Sequence, residues 1–110
     1  MKKIIRVYQD IRGKEPFTKL LFALKDLNGQ KAIKRRIFQM ENGHYGDVKS
    51  GGDEVSELRL MTGPGYRIYF AERGETVVIL LIGGDKSTQS RDIKKAKSYW
   101  IDYKERFIDE

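Results

Sequence analysis

The sequence predicts an α+β fold: a small antiparallel four-stranded sheet, an N-terminal helical hairpin and a C-terminal helix, in the order β-α-α-β-β-β-α. Three observations carry the prediction. Residues 55–87 read as three strands joined by short turns, two runs of helical periodicity precede them, and a heavier helical stripe follows. An antiparallel sheet with its helices gathered on one face suits that order. One domain over residues 1–110 is expected, with room for a single modest core.

Residues 2–8 (KKIIRVY) alternate at Ile5 and Val7 and read as the first strand. Pro16 opens a helix, since its missing N–H costs nothing at the first helical position. Phe17, Leu20, Leu21, Leu24 and Leu27 then fall on one apolar stripe, and Asn28-Gly29 offers a left-handed cap that ends it. A second helix covers residues 30–41 with Ile33, Ile37 and Met40 inward. Residues 44–54 (HYGDVKSGGDE) read as a loop, rich in glycine and acid.

In residues 55–61, Ser56, Leu58 and Leu60 share one face, and Val55, Glu57 and Arg59 share the other, because strand side chains alternate with period 2. Residues 66–70 put Tyr66, Ile68 and Phe70 on one face, Arg67 and Tyr69 on the other. Residues 76–82 (TVVILLI) are apolar without alternation, as in a strand covered on both faces. Past Gly83-Gly84-Asp85-Lys86, one of Ser87, Thr88 or Ser90 caps the last helix, with Asp92 in its first turn. Its stripe of Ile93, Ala96, Trp100, Tyr103 and Phe107 suits core packing or docking of another chain, and only distantly a nucleobase platform.

Net charge is +6 and the pI about 9.5, which favours an anionic partner. Absence of cysteine excludes disulfides and thiolate chemistry, and a single histidine, His44, leaves a zinc site short of ligands. No apolar run reaches the roughly 18 residues of a membrane span. The N-terminal apolar stretch, broken by Arg6, is too short for a signal peptide. A cytoplasmic protein with no cofactor, metal or membrane partner is expected.

Glu57, Arg59, Arg67 and Tyr69 share a strand face, and Lys86 stands at a strand exit. Two guanidinium forks beside a lysine suit one phosphate. The commoner use of such a face is structural, with Glu57 paired across the sheet to Arg67 or Arg59. GGDKS at 83–87 resembles a phosphate loop but lacks the first glycine of GxxxxGK[ST], so a strand-to-helix turn using glycine's backbone freedom fits better. KAIKRR at 31–36 is either a solvated helix face or a nucleic-acid contact. His44 is by residue type a candidate for proton transfer, or is a surface histidine.

The runs PF, GHYGDVK, VSELR, GPGYRIYF, LLIGGDKSTQ and DIKKAKSYW occur in this order over nearly the whole chain. As a set they resemble the toxins of type II toxin–antitoxin modules in the RelE/ParE superfamily, and within it the HigB-like branch labelled addiction-module killer protein. The resemblance implies a metal-independent endoribonuclease that enters the ribosomal A site and cleaves mRNA on the concave sheet face. It places the family's basic positions on Arg59, Arg67 and Lys86, and puts Glu57 where RelE carries another lysine. The RelE tyrosine near the last helix has no counterpart in register; Asp92 lies closest. Glu57 is then the first candidate for general base and His44 the second. Lys34, Arg35, Arg36, Tyr69 and Arg91 are the expected RNA contacts. The implied partner is a cognate antitoxin of helix-turn-helix type, beside ribosome and mRNA. The alternative, suggested by the absent tyrosine, is a non-catalytic toxin like the ParE branch, which inhibits DNA gyrase by binding.

Overall fold

Five segments, not four, carry the extended backbone of the sheet. The computed structural model describes residues 2–109. Chain order is β1 (Ile4–Val7), α1 (Pro16–Ala23), α2 (Leu27–Glu41), β2 (Val48–Gly52), β3 (Val55–Arg59), β4 (Tyr66–Arg73), β5 (Val77–Asp85), a 3-10 turn (Lys86–Thr88) and α3 (Gln89–Arg106). The sheet order is β1-β5-β4-β3-β2. It is mixed: β1 runs parallel to β5, and the other pairs are antiparallel.

The strand missed in the sequence is β2, whose VKSGG has little intrinsic preference for extended structure. Its ladder with β3 makes it a strand, with Val48 opposite Leu58 and Ser50 opposite Ser56. Gly51 falls at an irregularity in that ladder, and a Cβ there would lie 2.6 Å from Ile93 Cδ1 of α3. The hairpin then turns through Asp53 (φ 54°) and Glu54 (φ 71°), a left-handed pair normally left to Asn-Gly. Glu54 is held there by its carboxylate, which accepts from Trp100 Nε1 (3.0 Å) and Lys104 Nζ (2.7 Å) on α3.

The helical hairpin also differs from expectation. α1 ends at Ala23, and Asn28-Gly29 lies inside the first turn of α2 rather than capping α1. Asp26 wins the competition, because its carboxylate caps α2 by accepting from Gly29 N (3.0 Å). The Leu24 carbonyl is taken by Gln30 Nε2 (2.6 Å), and Leu27 is left 67% exposed. Gly29 serves space instead: a Cβ would sit 2.6 Å from the ring of Tyr66, whose hydroxyl donates to Asp26.

Helices cover both sheet faces, not one. Phe17, Leu21, Ile33 and Met40 of α1 and α2 pack on Leu58, Leu60, Ile68, Phe70 and Leu80. On the opposite face Ala96, Trp100 and Tyr103 of α3 pack on Val55, Tyr69, Ala71, Ile79 and Leu81. Each fully buried large apolar side chain in these layers contributes roughly 2 kcal/mol. The pattern in β5 shifts where Tyr69 pairs with Ile82 but Phe70 with Leu80, so Leu81 is an extra residue. Leu81 and Ile82 thus both belong to the α3-side layer. The shift sends Gly83 toward α1 and Gly84 toward α3, where a Cβ would collide with the Asp92 carboxylate. The glycine pair thus permits close approach by two helices; neither residue has a positive φ. Among the described residues no helix is long and apolar enough to cross a membrane.

Candidate functional site

Strand pairing sets Arg59 directly opposite Arg67. Like charges in that position repel unless each finds its own anion, and here they part in opposite directions. Arg67 turns inward. Its Nε lies 3.0 Å from Glu57 Oε1, and its Nη1 donates to the carbonyls of Gly65 (3.0 Å) and Tyr66 (3.2 Å). The tether on Nη1 leaves the Nε–H misaligned, so the contact with Glu57 is an ion pair without a hydrogen bond. Glu57 is only 2% exposed, and Gln89 at the start of α3 donates from Nε2 to both its oxygens at 2.9 Å.

Arg59 turns outward. Its Nε (3.2 Å) and Nη2 (2.8 Å) both donate to Asp47 Oδ1, in the loop before β2. That bond holds the Asp47 carboxyl below the usual carboxylate range and raises the Arg59 guanidinium above its own. The loop is fixed separately by its main chain. Arg59 N donates to Asp47 O (2.9 Å), while Arg36 on α2 donates from Nη1 to Arg59 O (2.6 Å) and from Nη2 to Tyr45 O (2.8 Å). Burial pushes the Arg36 guanidinium below its ordinary value.

Lys86 follows β5 in the 3-10 turn, which Asp85 caps by accepting from Ser87 N (2.8 Å). Gly65 has φ 80°, and a Cβ there would be 3.5 Å from Lys86 Cβ, so the β3–β4 turn brings the lysine beside Arg67. Among the described residues Lys86 makes no hydrogen bond or ion pair. Asp47, Arg59, Met61, Pro64, Arg67 and Lys86 line a shallow cleft of ≈ 400 Å³. It is the one place where the three expected cations meet.

The other expected residues lie elsewhere. Tyr69 is fully buried under α3 and offers no ring face to a base, which corrects its reading as an RNA contact. Among the described residues its hydroxyl has no hydrogen-bond partner, and burial, reinforced by the charge of Glu57, raises its pKa. Arg36 is a half-buried clamp rather than a surface cation, while Lys34 and Arg35 are exposed on α2. Arg91 borders a separate groove of ≈ 640 Å³ between α1 and α3, together with Lys14, Lys19 and Lys95. Asp92 is buried at that groove and accepts from Thr88 Oγ1 (2.5 Å), away from the cleft. His44 is exposed and does not line the cleft. Asp47 and Gln89, both in runs quoted for the resemblance, carry no role in the sequence reading. Only their position against Arg59 and Glu57 reveals one.

The architecture is RelE-like. The E. coli toxin RelE, solved as a double arginine-to-alanine mutant in the free state, superposes with a TM-score of 0.65, covering 92% of this chain and 99% of its own. Sequence identity in that superposition is 15%, so the likeness is one of fold. No family model matches the chain. A protein of Haemophilus influenzae described as uncharacterized is 47% identical over 81 residues, 74% of this chain and 82% of its own length. The chain belongs to the family of that H. influenzae protein.

Proposed function

We propose that this chain is, as a single domain, the toxin of a type II toxin–antitoxin module, of the HigB-like kind, and that it cleaves mRNA on the ribosome without metal. The observation that carries the reading is the convergence of Arg59, Arg67 and Lys86 on one cleft of a RelE-like fold. In the reaction the 2′-oxygen of one nucleotide bonds to the adjacent phosphorus and loses its proton to a base. The bond from phosphorus to the 5′-oxygen breaks and that oxygen gains a proton, leaving a cyclic phosphate and a 5′-hydroxyl. Negative charge grows on the non-bridging oxygens, where guanidinium forks and an ammonium stabilise it most. Lys86, unpaired and exposed, is the cation freest to approach that phosphate.

Glu57 is not the base in this scheme. Its two oxygens are occupied by Gln89 and Arg67 in a dry setting, so it positions Arg67. His44 lies off the cleft. A helix-turn-helix antitoxin is the expected partner. The test is induction in a bacterial host, with new 5′ ends mapped on abundant messages. Discrete ends inside coding regions, absent when translation is blocked and lost in Lys86→Ala, are expected. Growth arrest with intact messages would sink the nuclease reading and favour gyrase inhibition, which a supercoiling assay with the pure protein then decides.

A further inference from the structure

We propose that the Asp47 carboxylate stands on Arg59 in the place of a substrate phosphate and must leave before an RNA backbone engages the cleft; this gating rests on the nuclease reading above. The contact uses the Nε–Nη2 edge of the guanidinium, the edge that receives a phosphate bidentately. Arg67 cannot take over that role at rest, because its Nη1 is tethered to two carbonyls and its Nε faces Glu57.

The carboxylate is free to leave because it does not hold the loop. The main-chain bond from Arg59 N to Asp47 O and the Arg36 bonds to Tyr45 and Asp47 carbonyls remain when the side chain swings away. The Asp47 side chain is 44% exposed, so water receives it at little cost. With Asp47 on Arg59 and Glu57 on Arg67, Lys86 is, among the described residues, the one uncompensated cation in the cleft, and departure of Asp47 adds one positive charge where the phosphate arrives. A lone weak anion therefore competes poorly, whereas a phosphodiester held by Lys86 and Arg59 together displaces the carboxylate.

The experiment follows the Arg59 Nε–H resonance while inorganic phosphate is added to the wild type and to Asp47→Asn. Both resonances move, and the variant binds phosphate roughly fivefold tighter, the range of an exposed ion pair removed from competition. Adding Arg59→Ala to the variant erases the gain. Equal affinities, or an Arg59 resonance that does not move, overturn the proposal. So does loss of cleavage in Asp47→Asn at unchanged phosphate affinity, which would make Asp47 the proton acceptor. A non-cleavable 2′-O-methyl RNA strand is titrated in parallel, and its salt slope steepens by roughly 0.7 in Asp47→Asn. If phosphate discriminates as expected but the strand binds neither protein, the gate stands and the nuclease reading falls.

Discussion

Two arginines face each other across one rung of the sheet and live under different rules. On the Arg67 side the pair with Glu57 is dry, roofed by α3 through Gln89, and integral to the packing. On the Arg59 side the pair with Asp47 is wet, and the protein keeps its shape there through main-chain bonds and Arg36. A buried ion pair is expensive to break and an exposed one is not, because the partner left behind either loses its only solvation or regains water. One cleft thus combines a fixed cation with a releasable one. In the proposed reaction the rigid wall is the one that would position a phosphate, and the exchanging wall the one that would admit it.

The largest expected effect tests the dry wall. Glu57→Leu strands Arg67 and Gln89 and lowers unfolding free energy by about 3–5 kcal/mol in a urea titration. Adding Arg67→Met restores much of that loss. Neutral behaviour of Glu57→Leu alone would erase the contrast. For the same reason Lys86→Ala and Arg59→Ala, not Arg67→Ala, are the variants that test activity without disturbing the core. Gln89→Ala removes both donors to Glu57 and costs about 2 kcal/mol by the same measurement.

Tyr69→Phe separates hydroxyl from ring. The hydroxyl is buried without a hydrogen-bond partner among the described residues, so stability stays level or rises by up to about 1 kcal/mol. Loss of toxicity in a fully folded Tyr69→Phe would instead give that hydroxyl a chemical role. In alkaline titration Tyr8, Tyr45 and Tyr69 ionise only above the ordinary tyrosine range, burial being the first cause in each. Raised folded values stabilise below the unfolded pKa of about 10, and that contribution is lost as pH climbs through the folded ones, so tyrosinate absorbance rises together with unfolding.

The smallest effect belongs to the wet wall. The Asp47 carboxyl is depressed in the folded state, so whatever stability it adds is present above about pH 4 and fades as pH falls through its lower folded value. Thermal unfolding of Asp47→Asn should fall marginally below the wild type at neutral pH, the size of an exposed ion pair, and converge with it in acid. A large gap at neutral pH would show that the loop depends on the carboxylate after all.

Strand parity was legible because Leu58, Ile68 and Phe70 alternate strictly with Glu57, Arg67 and Tyr69, and each falls on the face assigned to it. It named the cluster and left its depth open. Nothing in one strand tells whether a helix will cover it, and α3 turned the supposedly open face into an interior that buries Tyr69 and Glu57. The two misread glycine signals share one cause. Gly29 and Gly84 are small so that Tyr66 and Asp92 can come close, and a requirement for space looks in sequence like a requirement for a turn. β2 was illegible because its partner, not its own residues, makes it a strand.

The parallel pairing of β1 with β5 bears on how the molecule comes into being. Ile4 finds its neighbour only at Val77 and Val7 only at Leu80, so the chain must be made as far as β5 before the first strand has a strand to pair with. The β3–β4–β5 meander closes through short turns and can form early, whereas the β1–β5 contact closes a long loop and forms late. Gln89, which steadies Glu57 beneath Arg67, emerges later still. During vectorial synthesis the cleft therefore stays unassembled until the start of α3 has left the ribosome. A protein proposed to attack translation would be made by that apparatus in a form that cannot yet harm it.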